Sequence, residues 1–332
     1  MSLSTGVESD AIDFHGIPIT LSYEPFANDA FRRLFAGFGH GTGTNAGLRV
    51  ELGTSSKPTE AGLSSEWRAT FCHGLVQGYS RDGAHVLSDG MSRIEVSPEL
   101  GKMSGQIFDG AHSSLSAGMQ HIALSLLLRE RGIFDLHAAT ACTSERAFVL
   151  LGDSGAGKTT FLLTLMGIGC GFLGDDRLLF RSREGKSELL AYPREFHLSP
   201  NTLQLVNQSI VELSDEPPPG GKYSVEALKI WPEQFRRSWR GSISLILPQV
   251  ADQAESLVRR ASAAEAFGKL LASSATVVVD AIGSRHEQLR ALKTLADSAD
   301  AYDLALGADL LSRPAETARR ILDEIDSLAR EP

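Results

Sequence analysis

The sequence predicts an α/β chain in two parts: a smaller α+β domain over residues 1–112 and a larger α/β domain over 113–332. Three observations lead there. Before residue 112, short apolar runs are broken by tight turns such as Arg81-Asp82-Gly83 and Ser88-Asp89-Gly90, the rhythm of antiparallel strands. After it, apolar runs of strand length alternate with segments of helical period, the pattern of a sheet covered by helices. Between one such strand and one such helix lies a glycine-rich turn, Gly152-Asp153-Ser154-Gly155-Ala156-Gly157-Lys158-Thr159, followed by Thr160.

Taken in order, the small polar start Met1 to Asp10 predicts a frayed end, and Ile12 to Leu21 alternates as a strand. Phe31, Leu34, Phe35 and Phe38 predict a helix over 28–38. The glycine-rich stretch Gly37 to Gly47 loosely fits a dinucleotide pattern, but it follows a helix and precedes the strand Leu48 to Leu52, the reverse of what that motif needs, and it reads as a loop. From Trp67 to Val96 the chain reads as an antiparallel meander. Its scattered histidines, His15, His40, His73, His85 and His112, lack the spacing of a metal site and read as structural.

Ser114 to Arg131 is a helix with Met119, Ile122, Ala123, Leu126 and Leu127 on its apolar face, widened by Leu124 and Leu128, and Gly132 stands where a terminating glycine belongs. Phe134 to Ala141 and Ala147 to Leu151 read as two strands joined by the turn Thr143 to Arg146. After the glycine-rich turn, Phe161 to Met166 is helical, and a hairpin follows with strands at Leu178-Leu179-Phe180 and Leu189 to Tyr192. Farther on, Leu203 to Leu213 reads as helix, Ile243 to Leu247 as buried strand, Ala261 to Leu271 and His286 to Ala296 as helices, Tyr302 to Leu306 as strand, and Ala315 to Arg330 as a closing helix. No internal repeat is present.

Composition narrows the classes. The chain is 42% hydrophobic and 22% charged, which suits a globular protein with a sizeable core. A formal net charge of −9 argues against a broad nucleic-acid surface, which needs clustered Lys and Arg. Cys72, Cys142 and Cys170 are far apart and form no C-x-x-C pair, so they read as reduced thiols of a cytoplasmic protein. No secretory signal is recognisable, and no apolar run reaches the ~18 residues that span a bilayer; Ile122 to Leu128 is too short and is interrupted by Ser125.

The turn at 152–159 is a full G-x-x-x-x-G-K-T signature, the P-loop or Walker A. Its glycines let backbone N–H groups point inward, the helix behind it adds its positive end, and Lys158 adds a charge for β- and γ-phosphates. Gly152 through Thr160 are therefore the expected nucleotide-binding residues, with Thr159 placing its hydroxyl on Mg²⁺. ATP and Mg²⁺ are the expected ligands. Asp175-Asp176, just downstream, has the acids that phosphoryl transfer needs, one for the metal and one for the acceptor's proton. A rival is Asp280, which ends the apolar run Thr276 to Val279 like a Walker B strand but has no second acid beside it.

Three linked elements, His137-Ala138-Ala139, the P-loop, and Gly174-Asp175-Asp176-Arg177, resemble the catalytic half of bacterial HPr kinase/phosphorylase in motif and spacing. His137 lies fifteen positions before Gly152, and Asp175 twenty-three after it. The likeness is good over 133 to about 195 and holds only in broad layout beyond. It implies a fold like phosphoenolpyruvate carboxykinase, a base and metal role shared by Asp175 and Asp176, and a place for His137 near the phosphates. The family's Glu-x-Arg-Gly-x-Gly signature, tied to the reverse phosphorylase reaction, is not matched by Tyr192 to Leu198, so the likeness does not extend to that activity. Residues 1–112 do not match the family's own N-terminal domain, and HPr itself is not implied as acceptor. The chain is similar instead to divergent HPr-kinase-related proteins, some found with peptide-modification systems.

The resulting expectation is a kinase that moves the γ-phosphoryl group of ATP to a serine hydroxyl on a protein or peptide, such as a precursor peptide. Lys158, His137, Asp175 and Asp176 are its catalytic set; Thr159, Asp175 and Asp176 hold the metal; Arg177 and Arg194 are candidates to offset transition-state charge or to form surface salt bridges. Residues 1–112 would select the acceptor or support assembly, including a homo-oligomer. Neither nucleic acid nor membrane is an expected partner. A small-molecule kinase and a slow or inactive ATP-binding regulatory module remain alternatives, with a carboxykinase weaker for want of a Lys, His and Asp cluster to ligate Mn²⁺.

Overall fold

The computed structural model describes residues 8–23, 34–41, 47–59, 62–109, 113–205, 221–274 and 285–330. The helix expected over 28–38, the loop at 41–46, the helix expected over Leu203 to Leu213 and the run ending at Asp280 lie wholly or mainly outside these residues. The fold is mixed α/β, and its contacts divide the chain into Met1–Phe134 with Thr276–Gln288, and Asp135–Ala275 with Leu289–Pro332.

Among the described residues the first unit carries eight strands: β1 (Glu8–Phe14), β2 (Ile17–Tyr23), β3 (Leu48–Ser55), β4 (Arg68–His73), β5 (Val76–Arg81), β6 (Ala84–Ser88), β7 (Arg93–Ser97) and β8 (Lys102–Phe108). Their order in one sheet is β1-β2-β3-β8-β7-β6-β5-β4. The expected meander is present as β4 to β8. The single strand expected at 12–21 is instead a hairpin that begins within the supposedly frayed start. His15 and Gly16 both take positive φ, 56° and 83°, as a two-residue hairpin turn requires, and a histidine there carries no sequence signal for it.

Helix α1 (Ser113–Arg129) packs on β6, β7 and β8, which is why it groups with the first unit and moves the boundary from 112 to Phe134/Asp135. Its apolar residues Met119, Ile122, Ala123, Leu124, Leu126, Leu127 and Leu128 are all buried. Gly132, at φ 67°, ends the helical segment as expected.

The second unit holds β9 (Phe134–Leu136), β10 (Ala138–Cys142), β11 (Arg146–Leu151), helix α2 (Lys158–Gly167), β12 (Gly171–Gly174), β13 (Leu178–Arg183), β14 (Lys186–Leu190), β15 (Phe196–Leu198), β16 (Tyr223–Val225), α3 (Ala227–Ile230), β17 (Ser238–Trp239), β18 (Ser242–Val250), β19 (Leu257–Arg260), α4 (Ala263–Ser274), most of α5 (Arg285–Asp297), β20 (Ala299–Leu306), α6 (Asp309–Ser312) and α7 (Pro314–Arg330), while Phe134 and the start of α5 through Gln288 group with the first unit. Its main sheet runs β12-β10-β11-β18-β20-β19, and a smaller one runs β17-β14-β13-β9. A short ribbon pairs β15 with β16.

One expected strand, Phe134 to Ala141, is broken at His137. β9 belongs to the small sheet and β10 to the main one, so the chain changes sheets at that residue. It changes again at Asp175-Asp176, between β12 and β13. Both changes fall at one edge because β10 is antiparallel to β12, with Thr140 opposite Gly174, and antiparallel to β11, with Ala138 opposite Leu151. The start of β10 and the ends of β11 and β12 are therefore neighbours. The core beneath them is apolar: Phe148, Leu150, Phe161, Leu165, Phe172 and Ile321 belong to one buried cluster, and α2 packs on α7. Cys142 and Cys170 are buried, and burial pushes both thiols up to about 11, which leaves them inert at neutral pH.

The first unit contains a titration that couples to its stability. His85 of β6 is buried, its Nδ1 has no hydrogen bond among the described residues, and burial, helped by Arg129, pushes its pKa down from 6.5 to about 4. Between these values the unfolded chain holds a proton that the folded one does not, so stability falls as the pH drops from about 6.5 toward 4. The loss between pH 7.5 and 5 should be about 2 kcal/mol. Urea unfolding of the wild type and His85→Gln at both pH values checks this. The variant should lose that part of the pH dependence, and an unchanged dependence would rule out His85 as its source.

Candidate functional site

The P-loop leaves β11 at Leu151 and enters α2 at Lys158. Gly157 precedes the helix at φ 93°, and a Cβ there would lie 2.5 Å from Leu306 Cδ1, so neither the conformation nor the space admits a side chain. No side chain caps α2, so its first N–H groups are left to a ligand.

Lys158 is buried, and its Nζ donates to Gly152 O at 2.8 Å and Asp153 O at 3.1 Å and meets His137 Nε2 at 3.2 Å. Burial pushes its pKa below the ordinary lysine range, against the pull of Asp176, Asp175 and Asp153. His137 Nδ1 lies 3.0 Å from Asp176 O. A carbonyl only accepts, so Nδ1 carries the hydrogen and Nε2 offers its lone pair to the ammonium group of Lys158. Burial first, and Lys158 second, hold the His137 pKa down, which favours this neutral form.

Thr159 Oγ1 donates to the Asp175 carboxylate, 2.8 Å from Oδ2 and 3.1 Å from Oδ1. Asp175 is completely buried, and burial, with the charge of Asp176 next, pushes its pKa up to about 7. Among the described residues no cationic side chain is in hydrogen-bond contact with this carboxylate, and Lys158 acts on it only through its field. Asp176 is half-buried with φ 60°, an uncommon but tolerated conformation for Asp. The two acids are thus unlike: Asp175 is buried against the P-loop hydroxyl, while Asp176 is accessible and its carbonyl orients His137. Gly174 before them is tightly confined, since a Cβ would lie 2.8 Å from Arg177 O and 2.9 Å from Tyr192 O.

The expected site residues therefore meet at one place: Gly152 to Thr160, His137, Asp175 and Asp176. Among the described residues no group of three or more His, Cys, Asp and Glu forms a ready metal cage. Thr159 and Asp175 still suit Mg²⁺, which keeps waters and binds through one or two carboxylates plus phosphate oxygens. Arg177 pairs with buried Asp135 at 3.6 Å and lies 5.5 Å from the centre of the Tyr192 ring, so it is tied into the wall of the site rather than into a surface salt bridge. Arg194 is largely buried in the company of Arg177, Tyr192, Asp176 and Glu195, and burial lowers its pKa.

Sequence reasoning passed over several residues here. His197 on β15 lies in the electrostatic field of Arg194, Asp176 and Lys222, and burial lowers its pKa. Behind the P-loop, Thr160 Oγ1 lies 3.0 Å from Thr202 Oγ1, which lies 2.7 Å from Ser199 Oγ. Isolated hydroxyls carry no motif, and only the fold lines them up. Period-two alternation alone could have set His197 opposite to the buried Phe196 and Leu198.

No family model matches the sequence, and no curated protein matches it. Among solved structures, the chain is similar to one described as the HPr(Ser) kinase/phosphatase from Coxiella burnetii, at 9% identity and a TM-score of 0.29, over 58% of this chain and 98% of that one. At that score the likeness carries no weight for activity; the site's own geometry does.

Proposed function

We propose that this chain is an ATP- and Mg²⁺-dependent kinase that transfers the γ-phosphoryl group to a serine hydroxyl of a protein or peptide. The observation that carries the reading is the hydrogen bond from Thr159 to buried Asp175, because it joins a P-loop hydroxyl to an acid, the pair that holds Mg²⁺ in P-loop enzymes. Thr159 and Asp175 would hold Mg²⁺, which would supply positive charge against the phosphates.

The remaining work falls to the chain's own groups. Lys158 exchanges a loop carbonyl for a phosphate oxygen, while neutral His137 holds the ammonium group from behind. The free N–H groups of α2 take the phosphates. Asp176, the accessible acid, accepts the serine proton as that oxygen bonds to the γ-phosphorus and the bond to the leaving oxygen breaks. Sequence could not divide the two aspartates; their unequal burial supports a reading with Asp175 at the metal and Asp176 at the proton. The serine acceptor rests on the likeness of the three sequence elements to the HPr-kinase family. Acceptor selection is assigned to the first unit, which has an open cavity of about 700 Å³ lined by Tyr23, Glu51, Leu52, Arg93, Glu95 and Gln106, among others.

Lys158→Ala should abolish ATP binding in a folded protein, as measured by calorimetry; unchanged affinity would remove the P-loop from the reading. Asp176→Asn should lower phosphoryl transfer to serine peptides by about 10² to 10⁴ with ATP still bound, because a general base acts as the group moves. Asp175→Asn should instead raise the Mg²⁺ concentration needed for activity. If both variants retained near-full transfer at unchanged Mg²⁺ requirement, the pair would be a structural turn and Asp280 would be the acid to test.

A further inference from the structure

The main sheet has two sides about β11, and the catalytic groups occupy only one of them. His137 and Asp175-Asp176 arrive with β10 and β12; on the opposite side lie β18 and β20, parallel to β11 and to each other. Lys158 and Thr159 are drawn to His137 and Asp175, so the β- and γ-phosphates of a nucleotide in the P-loop belong to that side. The nucleoside end must then leave toward the carboxyl ends of β18 and β20, where open α/β sheets place their ligands.

What waits there is an apolar step built against the P-loop. β18 ends at Val250 and β20 at Leu306. The Cβ position of Gly157 is 2.5 Å from Leu306 Cδ1 and 3.5 Å from Val250 Cγ2. Leu306 is buried, whereas Val250 is 62% exposed, at the end of a strand that is buried from Ile243 to Pro248 and exposed at Gln249. The exposed valine sits on a fixed base. Ala251 N donates to Leu306 O at 2.9 Å, Ala308 N to Gln253 O at 2.9 Å, and Asp309 N to Ala254 O at 3.0 Å. Ser256 donates through N and Oγ to buried Asp309 Oδ1, and Arg320 donates to Asp309 Oδ2 at 2.9 Å. A surface turn tied down so heavily is suited to hold a flat ligand at low ordering cost.

We infer that Val250, backed by Leu306 and the turn 251–256, is the shelf on which the base of the bound nucleoside triphosphate stacks. The inference rests on the P-loop reading of the phosphate site and adds the place of the nucleoside. The shelf contributes apolar contact, so it strengthens nucleotides over bare polyphosphates without touching the reacting atoms.

The test compares binding of ATP and inorganic tripolyphosphate, each with Mg²⁺, to the full chain and to Val250→Ala, Val250→Ser, Val250→Phe and Lys158→Ala. Removing the valine methyls should weaken ATP by about three- to tenfold and leave tripolyphosphate within about twofold. Val250→Phe should bind ATP at least as tightly as the wild type. Unchanged ATP affinity in both Val250→Ala and Val250→Ser would overturn the shelf, and so would an equal loss for both ligands, which would make Val250 a support of the loop. Loss of tripolyphosphate and ATP together in Lys158→Ala, with the selective loss at Val250, supports both readings. If Lys158→Ala changed neither ligand, the phosphate site would be wrong and the shelf would fall with it.

Discussion

A hydroxyl on the first turn of α2 donating to a fully buried carboxylate is the contact on which the rest of the site depends. Thr159 belongs to the P-loop, and Asp175 to the end of β12, two strands away across β10. Burial makes the ionised acid costly, and the neighbouring acid Asp176 makes it costlier. The Thr159 hydroxyl and the backbone of Asp176 offset part of that cost by hydrogen bonding to the carboxylate.

The second constraint is the way charges around Lys158 are arranged. Three groups receive its Nζ, two carbonyls and the imidazole of His137, so the ammonium is fully hydrogen-bonded before any phosphate enters. The imidazole can accept only because Asp176 O takes the hydrogen on its other nitrogen. His137 and the Asp pair thus act as one unit: the backbone of an acid fixes a tautomer, and the tautomer positions the lysine. Asp176 pays a small conformational cost for this at φ 60°.

Around that unit the fold separates two kinds of surface. On the β10–β12 side the site is charged, with half-buried Asp176, Arg177 and Arg194 around the fully buried Asp175. On the β18–β20 side it presents Val250 beside buried Leu306, on a turn fixed by buried Asp309 and Ser256 with half-exposed Arg320.

The sequence by itself determined the local features whose causes are local. The P-loop was legible because its glycines, Lys158 and Thr159 have a fixed spacing. The helix 113–129, the hairpin after residue 178 and the closing helix were legible because apolar periodicity and glycine punctuation are properties of short windows. Tertiary structure decided what depends on pairing between distant segments. The break of the Phe134 to Ala141 run at His137 could not be read, since both halves look equally strand-like and only their partners, β13 for one and β11 and β12 for the other, pull them into different sheets. The different environments of Asp175 and Asp176 were likewise hidden: adjacent identical side chains are separated by which one the fold seals beneath Thr159. The ownership of α1 was decided by the strands it covers. In each case the deciding energy is burial or a hydrogen bond between residues far apart in the chain, and no sequence window contains both partners.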